Sequence, residues 1–120
     1  MKIFKLQQLA GLTGLTHEGE YVLCAEGAGT TALRWARLLP KETGRKVSSF
    51  GADTEIVYIV RGSISVRCGK SAFPVSAGEA FFINNKTVME FDNSGDTDAV
   101  YIVACGHGSP TSTTEAIPQR

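Results

Sequence analysis

Few side chains in this sequence are placed to do chemistry. Its two histidines, His17 and His107, lie ninety positions apart, in "GLTHEGE" and "CGHGSP". The three cysteines, Cys24, Cys68 and Cys105, show no CxxC spacing, so neither set is arranged to hold a metal. The most informative acid is Glu55. It opens the run "EIVYIVRG", which has no other polar residue until Arg61 and closes on Gly62. A carboxylate at the edge of an apolar strand is costly unless it is paired, liganded or exposed.

Elements must position such a group. The chain has 120 residues and 13 glycines, enough for one domain with one core. Short runs rich in Val, Ile, Thr and aromatics alternate with glycine and asparagine turns, an all-β pattern. The strands predicted are 20–24, 31–39, 55–61, 63–68, 71–76, 79–84, 87–93 and 98–105. "GK" (Gly69–Lys70) is a two-residue hairpin signal. "KLQQLAGL" (5–12) offers one helical turn at most, and "KETGRK" (41–46) reads as a solvated loop. In "TVMEFDN" the set Thr87, Met89, Phe91 and Asn93 is the more apolar face and is expected inward. In "TALRWARLL" the Trp35–Arg37 face is expected inward. "EIVYIVR" is apolar on both faces, so one face fills the core and the other needs a cover. A second copy of the chain is the expected cover, making a homodimer.

The totals exclude several classes. Twelve basic residues balance twelve acidic ones, which argues against a nucleic-acid partner. No apolar run approaches the roughly 18 residues of a membrane span, and the N-terminus carries no continuous apolar stretch of a signal peptide. An odd cysteine count fits free thiols in a reducing, cytoplasmic setting. The segment 106–120, rich in Gly, Ser, Thr and Pro, is expected to be a flexible tail after a barrel domain spanning 1–105.

Over residues 30–105 the chain resembles the cupin superfamily. Glu55 and Gly62 have the spacing that ends the first cupin motif, a glycine, HxH, three or four residues, a glutamate, six residues and a glycine. "FPVSAGEAFFINNKTVMEFDN" has the shape of the second, with Gly78–Glu79 at the usual Gly–Asp turn and Asn93 at the usual asparagine. The histidines are replaced. The HxH positions fall on Ser49 and Gly51, or on Ser48 and Phe50 with the longer spacing, and the third on Met89. The resemblance implies a single-domain β-barrel of the double-stranded β-helix or jelly-roll type, with Glu55 pointing inward. The replacements imply no metal and no other cofactor, so that an arginine or a ligand must neutralise Glu55, with Arg37 the first arginine candidate and Arg34 the second. A small-molecule-binding, metal-independent cupin follows as the leading expectation, its sugar- or carboxylate-like ligand lined by Trp35, Arg37, Ser49, Glu55, Phe81, Met89 and Phe91. Two alternatives stay open: an isomerase, epimerase or lyase using Glu55 as general base with Tyr101 or Arg37 as acid or electrophilic partner, and a structural or regulatory dimer whose barrel is filled.

Overall fold

A computed structural model describes residues 1–12, 20–24, 31–49, 54–84 and 87–106. A short helix α1 (Leu6–Leu12) precedes nine strands among these residues: β1 (Glu20–Cys24), β2 (Thr31–Leu38), β3 (Arg45–Ser48), β4 (Glu55–Arg61), β5 (Ser63–Cys68), β6 (Ser71–Ser76), β7 (Ala80–Ile83), β8 (Val88–Asp92) and β9 (Ala99–Gly106). The strands form two antiparallel sheets, ordered β1-β2-β9-β4-β7 and β3-β8-β5-β6. No described helix is long and apolar enough to cross a membrane.

The two sheets close on one core. Strand β4 alternates strictly, with Glu55, Val57 and Ile59 buried and Ile56, Tyr58 and Val60 exposed. Strand β8 buries Met89 and Phe91 and turns Val88 outward, as its sidedness predicts. Two readings of the sequence need correction. The "KETGRK" segment is not simply a loop: it runs into β3, where Arg45 and Val47 are buried. Its core signal is only one apolar residue, Val47, because the other inward side chain is a guanidinium. The "KLQQLAGL" segment forms a seven-residue helix, with Ala10 buried. The segments holding His17 and His107, and the tail from 107 onward, lie outside the described residues.

One glycine is fixed by close approach. Gly62 takes φ +85° where β4 turns into β5, and a Cβ there would stand 3.0 Å from Ala99 Cβ and 3.1 Å from its Cα. Gly78 also has positive φ, +89°, but a Cβ would meet nothing within 4 Å. Left-handed backbone costs an L-residue about 1–2 kcal/mol, so Gly→Ala at either position should lose that much. Gly62→Ala must also displace packed backbone, adding roughly 1–3 kcal/mol. Urea melts should therefore rank Gly62→Ala clearly below Gly78→Ala, and equal midpoints would contradict this account of the motif glycine.

Candidate functional site

The inward face of the larger sheet is layered by its register. Arg34, Val103, Val57 and Phe81 stand in one row, since Arg34 is opposite Val103, Val103 opposite Val57 and Val57 opposite Phe81. Ala36, Tyr101 and Ile59 make the next row. Glu55 lies at the end of β4, opposite Ile83, and has no exposure at all. Arg34 answers it: Nη2 stands 3.5 Å from Glu55 Oε1, and the same nitrogen donates to the Ser48 carbonyl at 3.3 Å. Arg34 is itself buried, at 7% exposure. A guanidinium and a carboxylate enclosed together avoid the several kcal/mol that either would cost alone.

This pairing overturns the expected orientation of β2. Arg34, Ala36 and Leu38 face inward, while Trp35 and Arg37 are half-buried on the opposite face. Arg37 Nε lies 3.8 Å from Asp98. Trp35 and Arg37 therefore do not line the barrel interior. Both faces of β2 carry one central arginine, and the bulkier apolar residues Leu33 and Trp35 favoured the face that turns outward; the structure sets Arg34, not Arg37, beside Glu55.

The remaining candidates converge. Met89 is opposite Val47, and Phe91 opposite both Arg45 and Val66. Phe81 packs edge-on against Phe91 at 5.8 Å, and Phe91 edge-on against Tyr101 at 5.1 Å. This stack occupies the middle of the barrel. Ser49 continues the inward alternation of Arg45 and Val47, one residue beyond the carbonyl that Arg34 binds. Its Oγ is buried and has no hydrogen-bond partner among the described residues. Glu55, Tyr101, Phe81, Met89, Phe91 and Ser49 thus share the interior.

Two further polar groups were missed as interior features or read only as motif. Arg45, at 7% exposure, forms a fork with Glu42, Nε to Oε2 at 2.9 Å and Nη2 to Oε1 at 2.8 Å. Burial pulls the Arg45 pKa down, but the Tyr101 hydroxyl and the Glu42 carboxylate together hold it above the ordinary arginine value. Asn93, at 2% exposure, ties the neighbouring loops. Its Nδ2 donates to the carbonyls of Leu38, Leu39 and Thr97 at 2.9–3.1 Å, and its Oδ1 accepts from Gly95 N–H at 2.9 Å.

The residues at the three histidine positions do not fit a divalent metal. Met89 supplies a thioether and Ser49 a neutral hydroxyl, poor donors for a hard or borderline ion. Glu55, the one carboxylate, is already held by the Arg34 cation. Gly51 and Phe50 lie outside the described residues. Among the described residues no group of three His, Cys, Asp or Glu side chains is gathered.

Comparison with known proteins follows the same outline. The profile of the cupin domain family matches residues 35–105. No curated protein sequence matches the chain. Among solved structures, the chain is similar to an uncharacterised conserved protein with a double-stranded β-helix domain from Klebsiella pneumoniae, with TM-score 0.69, 10% identity, and coverage of 88% of this chain and 90% of that one. A conserved cupin 2 barrel domain protein from Salinispora arenicola gives TM-score 0.66 at 17% identity, covering 88% of each chain. A predicted oxalate decarboxylase from Thermotoga maritima gives TM-score 0.61 at 20% identity, covering 73% of this chain and 79% of that one.

Two outcomes are expected. Glu55→Gln leaves the Arg34 guanidinium buried without its counter-charge and should cost about 3–5 kcal/mol in a denaturant melt. Arg37→Ala, which breaks a partly exposed pair, should cost under about 1 kcal/mol. The double variant Arg34→Met/Glu55→Leu should recover most of the first loss. Equal effects of Glu55→Gln and Arg37→Ala would contradict the assignment. The second outcome concerns Asp92 on the outer surface. A hydrogen bond from Arg67 holds its carboxyl below the ordinary value, against the opposing effect of burial, with the Gly44 N–H and the Arg67 charge reinforcing it. A carboxyl depressed in the folded state stabilises above its unfolded pKa of about 3.9, and that stabilisation is lost as pH falls through the folded value. Asp92→Asn should therefore flatten the acid limb of the stability curve below roughly pH 4. An acid limb identical to wild type would show that the clasp contributes nothing.

Proposed function

Because the chain belongs to the cupin domain family, we propose that it is a metal-independent cupin that binds a small sugar- or carboxylate-like molecule inside its barrel, at the end where Ser49, Arg34, Glu55 and Met89 meet. The observation that carries this reading is Ser49 Oγ, a buried hydroxyl with no hydrogen-bond partner among the described residues. Buried polar atoms are nearly always satisfied, and an orphan beside a site's other polar groups calls for a ligand or water. A cation, a carboxylate and a hydroxyl near the thioether of Met89 and the ring of Phe81 make a mixed polar and apolar lining, the common composition of small-molecule sites. The aromatic stack fills the middle of the barrel, which confines the ligand to the Ser49 end. Arg34 supplies the positive charge that a metal supplies in other cupins.

The enzyme reading, with Glu55 as general base, has no such support: Glu55 is engaged by Arg34, and Arg37 lies on the other face of β2. The filled-barrel reading has one observation in its favour, the Phe81–Phe91–Tyr101 stack, and it becomes the better account if no ligand binds. The odd cysteine count and the free thiol of Cys68 accord with a cytoplasmic setting.

A thermal-shift screen of sugar acids, hydroxy acids and neutral sugars, run in excess EDTA, tests the proposal. Binding to the folded state raises its stability. One of these classes should raise the melting temperature of the wild type, and Ser49→Val should lose that rise while melting normally without ligand. A rise that appears only when a divalent metal is added, or one that Ser49→Val retains, would contradict the reading.

A further inference from the structure

A cavity of about 260 Å³ lies away from the Ser49 end of the barrel, lined mainly by Ser63, Ser65, Pro74, Ser94, Gly95 and Thr97. One wall belongs to β5 and β6, the other to the loop between β8 and β9. Register separates it from Ser49. Ser48 stands opposite Val88 and Ser65 opposite Asp92, so the two places lie toward opposite ends of β8, roughly 14 Å apart along the strand.

The loop wall is held from both sides. Asn93 grips it from within: Nδ2 donates to the Thr97 carbonyl at 2.9 Å, and Oδ1 accepts from the Gly95 N–H at 2.9 Å. Lys41 grips it from without: Nζ donates to the Ser94 carbonyl at 2.8 Å and pairs with Asp96 at 3.2 Å. The backbone of Lys41 takes φ +64°, a left-handed value that no other described non-glycine residue adopts. Strain of this kind persists where the surrounding structure holds a site in shape.

We propose that this cavity binds one neutral, polyhydroxylated ring, a monosaccharide or cyclic polyol. The proposal does not rest on the barrel site. The hydroxyls of Ser63, Ser65, Ser94 and Thr97 can each donate and accept, as the hydroxyls of such a ring do. Ser63 Oγ already meets Ser76 Oγ at 3.2 Å, and the second half of its hydrogen-bonding capacity faces the Val75 carbonyl only weakly, at 3.4 Å. Pro74 offers an apolar surface to the C–H face of a ring. No charged residue lines the cavity. The cations that flank it are each taken, Lys41 by Asp96, Arg61 by Asp98 at 3.3 Å and Arg67 by Asp92 at 2.7 Å. An ionic ligand gains no free counter-charge there, so the ligand is neutral. A water takes about 30 Å³ of the liquid, so the cavity has room for roughly nine waters or for one small ring. One side is open to solvent, and affinity is set at about millimolar by the small number of ligand atoms.

Proton–nitrogen correlation spectra of the full chain, titrated with methyl β-glucoside, methyl β-galactoside and myo-inositol up to tens of millimolar, test this. At least one probe should move the amides of Ser63, Ser65, Ser94, Gly95 and Thr97 along saturable curves. Ser65→Gln, which fills the cavity without adding charge, should abolish those shifts. Should it fail to fold, Thr97→Val, which deletes a hydroxyl at nearly constant shape, should still weaken binding several-fold. Ser49→Val, toward the other end of β8, should bind as the wild type does. Lys41→Gly keeps the left-handed backbone but removes the clasp, and should also bind several-fold more weakly. Methyl β-glucuronide should bind no more tightly than methyl β-glucoside. The absence of saturable shifts with all three neutral probes overturns the inference. So do shifts that Ser65→Gln and Thr97→Val both retain, an affinity unchanged by Lys41→Gly, or a preference for the glucuronide. Shifts confined to the Ser49 end and lost in Ser49→Val would overturn it too, while leaving the barrel site standing.

Discussion

The Glu55 carboxylate is shut off from bulk solvent, and the rest of the barrel is arranged around that fact. Enclosing an ionised carboxylate costs several kcal/mol even after the protein relaxes. The cost is offset by the Arg34 guanidinium, delivered from β2 across the intervening β9. This fixes register. Side chains alternate along a strand, so a slip of one residue in β2 would put Trp35 inward and Arg34 in solvent. The charge pair therefore selects the orientation of β2, and through β2 the position of β1 and the outward placement of Trp35 and Arg37. Such a pair adds little net stability compared with a well-packed apolar replacement. What it adds here is a unique arrangement, with a positive charge fixed beside a carboxylate inside a mostly apolar barrel.

The same principle governs Asn93 and Gly62. Both stand at positions where this chain keeps the pattern of its family, and both have a backbone task. Asn93 satisfies carbonyls at the end of β2 and in the loop before β9, groups that would otherwise be buried without donors. Gly62 lets β4 turn into β5 against Ala99. The histidine positions, by contrast, served chemistry rather than backbone geometry, and they are the ones replaced. The chain keeps the residues that shape the barrel and substitutes those that would have held an ion.

How much of this the sequence discloses follows from which forces leave a pattern. Burial of apolar side chains leaves period two, and so the bounds of β4 and β5 and the inward face of β8 were readable, while β6, exposed except at Val75, was bounded by the turns at Gly69–Lys70 and Gly78. Phe81, Met89, Phe91 and Tyr101 fell into place with them. Buried charges leave no such pattern. Arg34 lost to Arg37 because hydropathy favoured the strand face that carries Trp35. Arg45 looked like part of a solvated basic loop because its partner, Glu42, sits three residues earlier in a turn and makes the segment look uniformly polar. Ser49 was placed by motif spacing, but its lack of a hydrogen-bond partner among the described residues is a property of three dimensions alone. The spacing from Glu55 to Gly62 pointed to the site, while its charge pairing became visible only with the strands assembled.

The central claim is that a side-chain cation, not a metal, neutralises Glu55. Its most direct test is a crystal structure of the protein grown with excess zinc or manganese, with anomalous data collected at the metal's absorption edge. The account predicts Arg34 Nη2 within about 4 Å of the Glu55 carboxylate, the limit for an ion pair, and no anomalous peak against Glu55 or Met89. An ion coordinated by Glu55, with Arg34 displaced from it, would contradict the account.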